Sequence, residues 1–237
     1  MKLPAVPQAF TAFTVGLLVG ILSPLSLRAV SVDQNRVIES MIQILSTDSR
    51  QGDKSLKWTF SIQPHKTYVW DRPAPVGAFA HLESGYDMAG RVQSMDFREF
   101  DGMRFYASSN VEGLPLDFNI FIGPALVQYR RDQPPLRIGS IWREYYVAFD
   151  EFSLAPWESA TSDSPVTPDL CCVTALGLDV TASGSPAEAT VFLDAVRLVR
   201  ADGSETVLDD FERQDATEFL YFLQRKLRWK TGADVFP

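Results

Sequence analysis

The chain has 237 residues and a net charge of −8, is 46% hydrophobic, and holds only two cysteines and two histidines. Its lysines and arginines never gather into a basic stripe, which argues against a nucleic-acid partner and against an anionic membrane surface. Cys171 and Cys172 are neighbours in sequence and cannot staple distant segments, so the fold has to be held by its core; one thiol is expected to be buried and the other turned away.

The N-terminus reads as an export signal. Lys2 gives a small positive start, Phe10 to Leu27 is an apolar run, and Ala29-Val30-Ser31 fits a small-x-small cleavage pattern. Residues 1–31 are therefore expected to be a signal peptide that directs the protein to the periplasm, the cell envelope or the medium. An uncleaved anchor is the alternative, although the apolar run is near the lower limit for spanning a bilayer and Gly and Pro interrupt it. After cleavage no stable membrane insertion is expected.

Val37, Ile38, Met41, Ile42 and Leu45 recur at helical spacing, so a short amphipathic helix is expected there, with a strand nearly as well supported. Ser55 to Ile62 alternates as a half-buried strand. Further strands are expected near 76–82, 90–96, 102–108, 115–122, 125–130, 141–149, 172–180 and 190–199, and Leu154 to Pro168, rich in Ser, Asp and Pro, reads as a surface loop. Many short strands with little helix indicate one antiparallel β-sandwich or barrel over residues 32–203. Beyond Gly203 the pattern changes. Asp215-Ala-Thr-Glu218 has the form of a capping box, Phe219, Phe222, Leu223 and Leu227 share a helical face, and Gly232 stands where a helix would stop. Residues 204–237 are thus expected to form a helical appendage. A competing observation is that Val207-Leu-Asp-Asp-Phe-Glu with Leu227-Arg-Trp echoes Val37-Ile-Glu with Leu56-Lys-Trp, as if a second module began here.

Thr190 to Arg200 has the profile of a buried strand, with Asp194 in its middle. A carboxylate in that position has to be hydrogen-bonded, paired or metal-bound. One reading makes it the cap of a neighbouring loop; the other makes it a metal ligand.

Five segments in order carry a family resemblance: Gly52-Asp-Lys-Ser-Leu-Lys-Trp, Phe100-Asp-Gly-Met-Arg-Phe, Leu116-Asp-Phe-Asn-Ile-Phe, Trp142-Arg-Glu-Tyr-Tyr-Val-Ala-Phe and Val191-Phe-Leu-Asp-Ala-Val-Arg-Leu. Residues 50–200 resemble galactose-binding-like jelly rolls, in particular family 11-type carbohydrate-binding modules. They are also similar to the N-terminal domain of glycosaminoglycan lyases and to complex I intermediate-associated assembly factors. The resemblance implies an all-β antiparallel jelly-roll sandwich, with the short terminal helices as additions. It also implies a structural calcium with Asp194 among its ligands. The acidic partner usual on the first strand, Asp-Phe-Glu, occurs here as Asp210-Phe211-Glu212 at the far end.

No catalytic constellation stands out. His65 and His81 lack metal-ligand spacing, no nucleophile elbow is present, and nothing singles out two of the many acids as a glycosidase pair. A sugar-binding face needs flat aromatic area beside polar side chains. If Met103, Phe105, Phe118, Ile120, Tyr145, Val147 and Phe149 point inward, the outward set is Arg104, Tyr106, Asp117, Asn119, Phe121, Glu144 and Tyr146. Arg104, Tyr106, Asp117, Asn119, Glu144 and Tyr146 are the candidate glycan contacts, with the reservation that a jelly roll deals its strands to two sheets. The expected function is an exported, non-catalytic polysaccharide-binding module, with a separate glycan-active enzyme as a candidate partner. The alternative is a protein-interaction or envelope-structural module on the same fold.

Overall fold

The computed structural model describes residues 27–33, 36–62, 68–69, 72–73, 76–85, 91, 93–158, 164–181, 188–213, 219–221 and 225–235. Its strands in chain order are β1 (Leu27–Asp33), β2 (Arg36–Leu45), β3 (Ser55–Ile62), β4 (Tyr68–Val69), β5 (Arg72–Pro73), β6 (Val76–Ser84), β7 (Gly102–Ser109), β8 (Leu114–Ile122), β9 (Val127–Arg131), β10 (Leu136–Ile138), β11 (Arg143–Ala148), β12 (Phe152–Leu154), β13 (Val173–Thr181), β14 (Glu188–Val199), β15 (Glu205–Asp209), β16 (Phe219–Tyr221) and β17 (Arg225–Val235). Two large antiparallel sheets result, with β4 and β5 paired as a separate two-stranded ribbon. The first runs β1-β2-β3-β14-β7-β11, with β15 also on β14; the second runs β12-β9-β8-β13-β6-β17-β16, with β10 also on β8. This is the jelly-roll β-sandwich that the strand pattern implies.

The period-2 alternation of the strands decides which side chains meet between the sheets. Met103, Phe105, Ala107 and Val147 of the first sheet, with Leu56, Trp58 and Phe60, face Phe118, Ile120, Leu176, Leu178 and Leu82 of the second, and all are buried. Phe105 lies 5.4 Å from Phe118 between ring centroids, so the sheets interdigitate through aromatic contacts. Tyr145 packs on this core and is only partly buried. Near the second sheet's margin, the strand expected at 90–96 is reduced to a single bridge from Met95 to Val173.

The two terminal segments depart from expectation. Residues 36–45 are a strand because β3 offers a full edge and Ile42 alternates with its neighbours into the core. Among the described residues, 205–209, 219–221 and 225–235 are strands and not part of a helical appendage. β15 joins the first sheet through β14, and β17 joins the second along the whole of β6. Leu227, Trp229 and Thr231 are buried while Arg228 and Lys230 are exposed, a period of two that overrides the local helical spacing once β6 supplies a pairing edge. The capping box at 215–218 lies outside the described residues. Nor does the echo start a second module. Trp58 donates to Ser40 Oγ and Trp229 to Asp209 Oδ2, within one shared core.

Cys171 and Cys172 also differ from expectation: they are bonded to each other, and both are half-buried in a short 3-10 turn. At the other end of the chain, Ala29–Val30–Ser31 falls inside β1, which pairs with β2, and the apolar run before residue 27 lies outside the described residues. Among the described residues no helix is long and apolar enough to cross a membrane.

Because Trp229 and Phe211 belong to the core, truncation after Ser204 is expected to abolish the cooperative unfolding transition. Trp229→Ala in the full chain is expected to cost about 3–5 kcal/mol in denaturant unfolding. A truncated chain that unfolds as cooperatively as the full one would make residues 205–235 a true appendage.

Candidate functional site

The six candidate contacts divide between the two outer faces. Arg104, Tyr106, Glu144 and Tyr146 share the outside of the first sheet, where Glu144 stands opposite Tyr106 and Tyr146 opposite Arg104. Asp117 and Asn119 lie on the outside of the second sheet, in β8. The structure therefore does not bring the six together, because β7 and β11 belong to one sheet and β8 to the other.

On the first sheet the loop between β2 and β3 is folded across the outer face. Asp194, which pairs in register with Tyr106, accepts hydrogen bonds at Oδ2 from the amides of Arg50 and Gln51, each at 2.7 Å. Glu212 accepts at Oε1 from the amides of Asp53 and Lys54 at 2.9 and 3.0 Å. Two carboxylates thus hold one five-residue loop by four successive-pair amides, an arrangement in which charged acceptors satisfy backbone donors that no strand would pair. Gly52 is needed at its apex: its φ is +65°, and a Cβ there would sit 2.2 Å from Glu212 Oε1. Opposite these contacts a bulge interrupts β14 between Asp194 and Arg197, with Ala195 at φ +49°.

The clamped loop occupies the partners a ligand would need. Arg50 lies 5.5 Å above the Tyr106 ring, Trp142 Nε1 donates to Asp48 Oδ1 at 2.9 Å, and Arg197 bonds Gln51. Arg104 is paired with Glu205 at 2.5 Å and lies near Glu144 at 3.9 Å. Asp194 is 0% exposed, and its Oδ1 has no hydrogen-bond partner among the described residues. Burial raises its pKa above the usual carboxylate range, against the lowering effect of the Gln51 and Arg50 amides. The cap reading of Asp194 is met directly. The orphaned Oδ1 is also a hard-oxygen donor of the kind that calcium takes, and the Glu212 carboxylate is near enough to add to the rise in its pKa.

The second sheet presents a different outer face. Register places Arg130, Asn119, Gly177, His81 and Lys230 in one row across β9, β8, β13, β6 and β17. The next row holds Asp117, Asp179 and Phe79, and the row on the other side holds Gln128, Phe121, Ala175, Glu83 and Arg228. Gly177 sits at the centre, where a Cβ would come within 2.9 Å of the His81 ring and 3.0 Å of Phe121. Its bare backbone lets the rings close in: His81 lies 4.2 Å from Phe79 and 4.9 Å from Phe121 between centroids.

Polar groups are buried beneath these rings. Asp179 and Asn119 are 2% and 1% exposed although both point away from the core. Asp179 takes His81 Nε2 at 3.2 Å and the Asn119 side-chain amide, while Asn119 Oδ1 has no hydrogen-bond partner among the described residues. An acceptor buried without a partner costs about 1–3 kcal/mol, so it marks a place where a ligand or water gains by donating. At the row's end Arg130 lies 3.6 Å from Asp117 and 5.4 Å from the Trp157 ring centroid, and Trp157 Nε1 donates to Gln128 Oε1 at 3.2 Å. The face therefore combines aromatic rings, a fixed guanidinium and acceptors.

Sequence reading found Asp117 and Asn119 of this set and missed His81, Asp179, Gln128, Arg130 and Trp157. The same alternation rule would yield Phe79, His81 and Glu83 from β6, and Gly177 and Asp179 from β13, but only once β6 and β13 are known to neighbour β8. Trp157 comes from a loop, to which no periodicity applies. Among the described residues, Asp169, Cys171 and Cys172 are the one set of three potential metal ligands within mutual reach. The two sulfurs there are bonded to each other and are not thiolates.

With this geometry in hand, no family profile and no curated protein matches the sequence. Solved structures do. The chain is similar to the family 11 carbohydrate-binding module of the cellulosomal cellulase Lic26A-Cel5E of Clostridium thermocellum, at 12% identity over 77% of this chain and 91% of that one, with a TM-score of 0.46. It is similar to CtCBM11 in solution, at 15% identity, the same coverage and a TM-score of 0.45. An exo-beta-agarase matches at 13% identity over 72% of this chain and 24% of that one, with a TM-score of 0.31. Similarity at this level carries no functional argument for this chain.

Two measurements test the two faces. Asp194→Ala strands the amides of Arg50 and Gln51, and is expected to destabilise the protein by about 1.5–3 kcal/mol for each charged hydrogen bond lost, read from denaturant unfolding; an unchanged midpoint would mean the loop holds itself. The second concerns Asp117, whose pKa is raised by burial first, with Asp179 adding and Arg130 opposing. A carboxyl whose folded value is raised favours the fold when protonated, so its contribution is fully present below the unfolded value and lost as pH rises through the folded one. Asp117→Asn is expected to raise the melting temperature at pH 7, by an amount that shrinks toward pH 3. A gain independent of pH would assign the effect to something other than this charge.

Proposed function

We propose that the protein is an exported, non-catalytic module that binds a polysaccharide through the outer face of the second sheet. The observation that carries this reading is the Arg130–Trp157 pair at the end of a row of fixed polar side chains on that face. Sugar hydroxyls donate and accept, and pyranose faces are apolar enough to lie on an indole. The centre of the first sheet's outer face supports the reading by contrast, since Tyr106, one of its two outward tyrosines, is already covered by Arg50. Asp117 and Asp179 stand opposite each other, yet Asp179 is engaged by His81 and Asn119 and Asp117 faces Arg130. Such fixed carboxylates serve as acceptors for hydroxyls.

Each hydrogen bond exchanged with water nets only about 0.5–1.5 kcal/mol, so stacking carries much of the affinity. Dissociation constants in the micromolar to millimolar range, on the order of −4 to −8 kcal/mol, are expected. In affinity gels containing β-glucan, galactan or glycosaminoglycan, Trp157→Ala and Arg130→Gln are expected to weaken retardation on the bound polymer by about tenfold, the loss of roughly 1.4 kcal/mol. Tyr106→Ala should leave retardation unchanged. The reverse pattern would move the site to the first sheet. Retardation by none of the three polymer classes would favour the protein-interaction or envelope-structural reading.

Calcium belongs to the same proposal. Asp194 Oδ1 and the Glu212 carboxylate would hold the ion, and the ion would tie β14 to the loop that both residues already clamp. An ion bound only by the folded protein stabilises it by mass action, so excess chelator is expected to lower the melting temperature by more than a few degrees. An unchanged melting curve would leave Asp194 as a loop cap alone. Export completes the reading: cleavage near Ala29–Val30–Ser31 would shorten β1 and leave β2 as the edge of the first sheet. If the N-terminal segment stays uncleaved, it would instead anchor the module at a membrane.

A further inference from the structure

A groove of about 660 Å³ lies away from the second sheet's face, between the end of β11, the entry to β7 and the segment 167–170. That volume falls within the range of sites that take small ligands, about 300–1,000 Å³. Its apolar floor is Phe100, Phe149 and Phe152, each 2–3% exposed. Its rim carries Tyr146, Asp101, Asp150 and Thr167.

Tyr146 is the unusual member. It is 44% exposed, among the most open large apolar side chains described. Its hydroxyl end rests on the bare backbone of Gly102, where a Cβ would come within 2.6 Å of Oη and 2.7 Å of Cζ. Arg104 lies 5.9 Å from its ring centroid. The ring is thus positioned by its surroundings and still open to solvent, which costs apolar hydration that a ligand could recover. The backbone around it is fixed as well, because the Phe149 amide donates to the Asp101 carbonyl at 2.7 Å and the Asp101 amide to the Val199 carbonyl at 2.8 Å. Burial raises the phenol's pKa, with the Asp101 and Asp150 carboxylates adding to the shift, so the hydroxyl stays a donor at neutral pH with two acceptors nearby. Among the described residues neither carboxylate is paired with a basic side chain.

We infer that this groove is a second glycan-binding site, in which one or two pyranose units stack on Tyr146 and donate hydroxyls to Asp101 and Asp150. The inference rests on the polysaccharide reading above and adds a valency to it. The two sites are close along the chain: Phe152 lines the groove at the start of β12, and Trp157 borders the other face five residues later. A polymer long enough to meet both is held by two weak contacts at once, and its avidity exceeds either by the effective concentration of the second site. The rim carboxylates Asp101 and Asp150 accept from sugar hydroxyls, while Arg98, which also lines the groove, is held by Asp96.

The test is a heteronuclear NMR titration of the full chain with neutral tetrasaccharides of the glucan and galactan series. Two groups of amides are expected to shift along separate saturation curves, one at 101, 146–150 and 167, the other at 119, 128–130 and 157. Tyr146→Phe is expected to weaken the first curve and Tyr146→Ala to remove it, with the second untouched. Both variants are expected to lower polymer retardation by tenfold or more while leaving tetrasaccharide affinity at the second sheet unchanged. Shifts confined to the second group, indifferent to Tyr146, would overturn the groove and leave the sheet-face reading standing. Shifts confined to the first group would keep the groove and overturn the sheet face. A wild-type chain that shifts in neither group would overturn both.

Discussion

The outer surface of the first sheet is decided by one carboxylate. Asp194 is fully buried on the outward side of β14, and its Oδ2 gathers the amides of Arg50 and Gln51. Without that acceptor the β2–β3 loop would have no reason to cross the sheet, since its amides could be met by water at the surface just as well. With it, the loop lies over Tyr106, draws Trp142 through Asp48 and Arg197 through Gln51, and converts an outer face into a second, polar layer of packing. Burying a charge is worthwhile only where every lone pair is answered. The unanswered Oδ1 is therefore the point at which this layer remains incomplete.

The second sheet solves the opposite problem. Its outer face has no loop of this kind among the described residues, yet Asn119 and Asp179 are nearly inaccessible. Their cover comes from within the sheet, from side chains of neighbouring strands leaning over the small residues Gly177 and Ala175. A side chain at 177 would push the His81 ring off Phe121 and open the polar row to solvent. Because the row is satisfied internally except at Asn119 Oδ1, its geometry is set before any ligand arrives, and little ordering has to be spent on binding.

Much of the fold was legible in the sequence. Alternation in 102–109, 114–122 and 143–148 fixed which residues point inward, and Met103, Phe105, Phe118, Ile120 and Val147 are buried accordingly. What alternation does not contain is the partner of each strand. Asp117 and Glu144 look equivalent in the sequence, yet lie on opposite sides of a sandwich because β8 pairs with β13 and β11 with β7. The C-terminal misreading has the same origin. Phe219, Phe222, Leu223 and Leu227 fit a helical spacing and Leu227, Trp229 and Thr231 a strand spacing, and the free edge of β6 chooses the second for β17. The vicinal bond between Cys171 and Cys172 depends on the turn that carries them, which no composition argument reaches.

The misread segment turns out to couple the two faces. Residues 205–209 add to β14, Asp209 receives Arg213 and the Trp229 indole in the core, Glu212 seals the loop over the first sheet, and Lys230 lies beside His81 at the edge of the second sheet's polar row. Asp209 itself is 3% exposed and answered by a guanidinium and an indole, so moving it would disturb both attachments at once. Because β15 pairs with the first sheet and β17 with the second, the loop clamp on one side and the polar row on the other are both attached to this segment. A change that loosens the loop near Gly52 is then transmitted through Glu212 and Asp209 to Trp229 and the strand that carries Lys230. The covered face is in this sense a support of the open one, because the segment that Asp209 and Glu212 anchor also carries the strand beside His81.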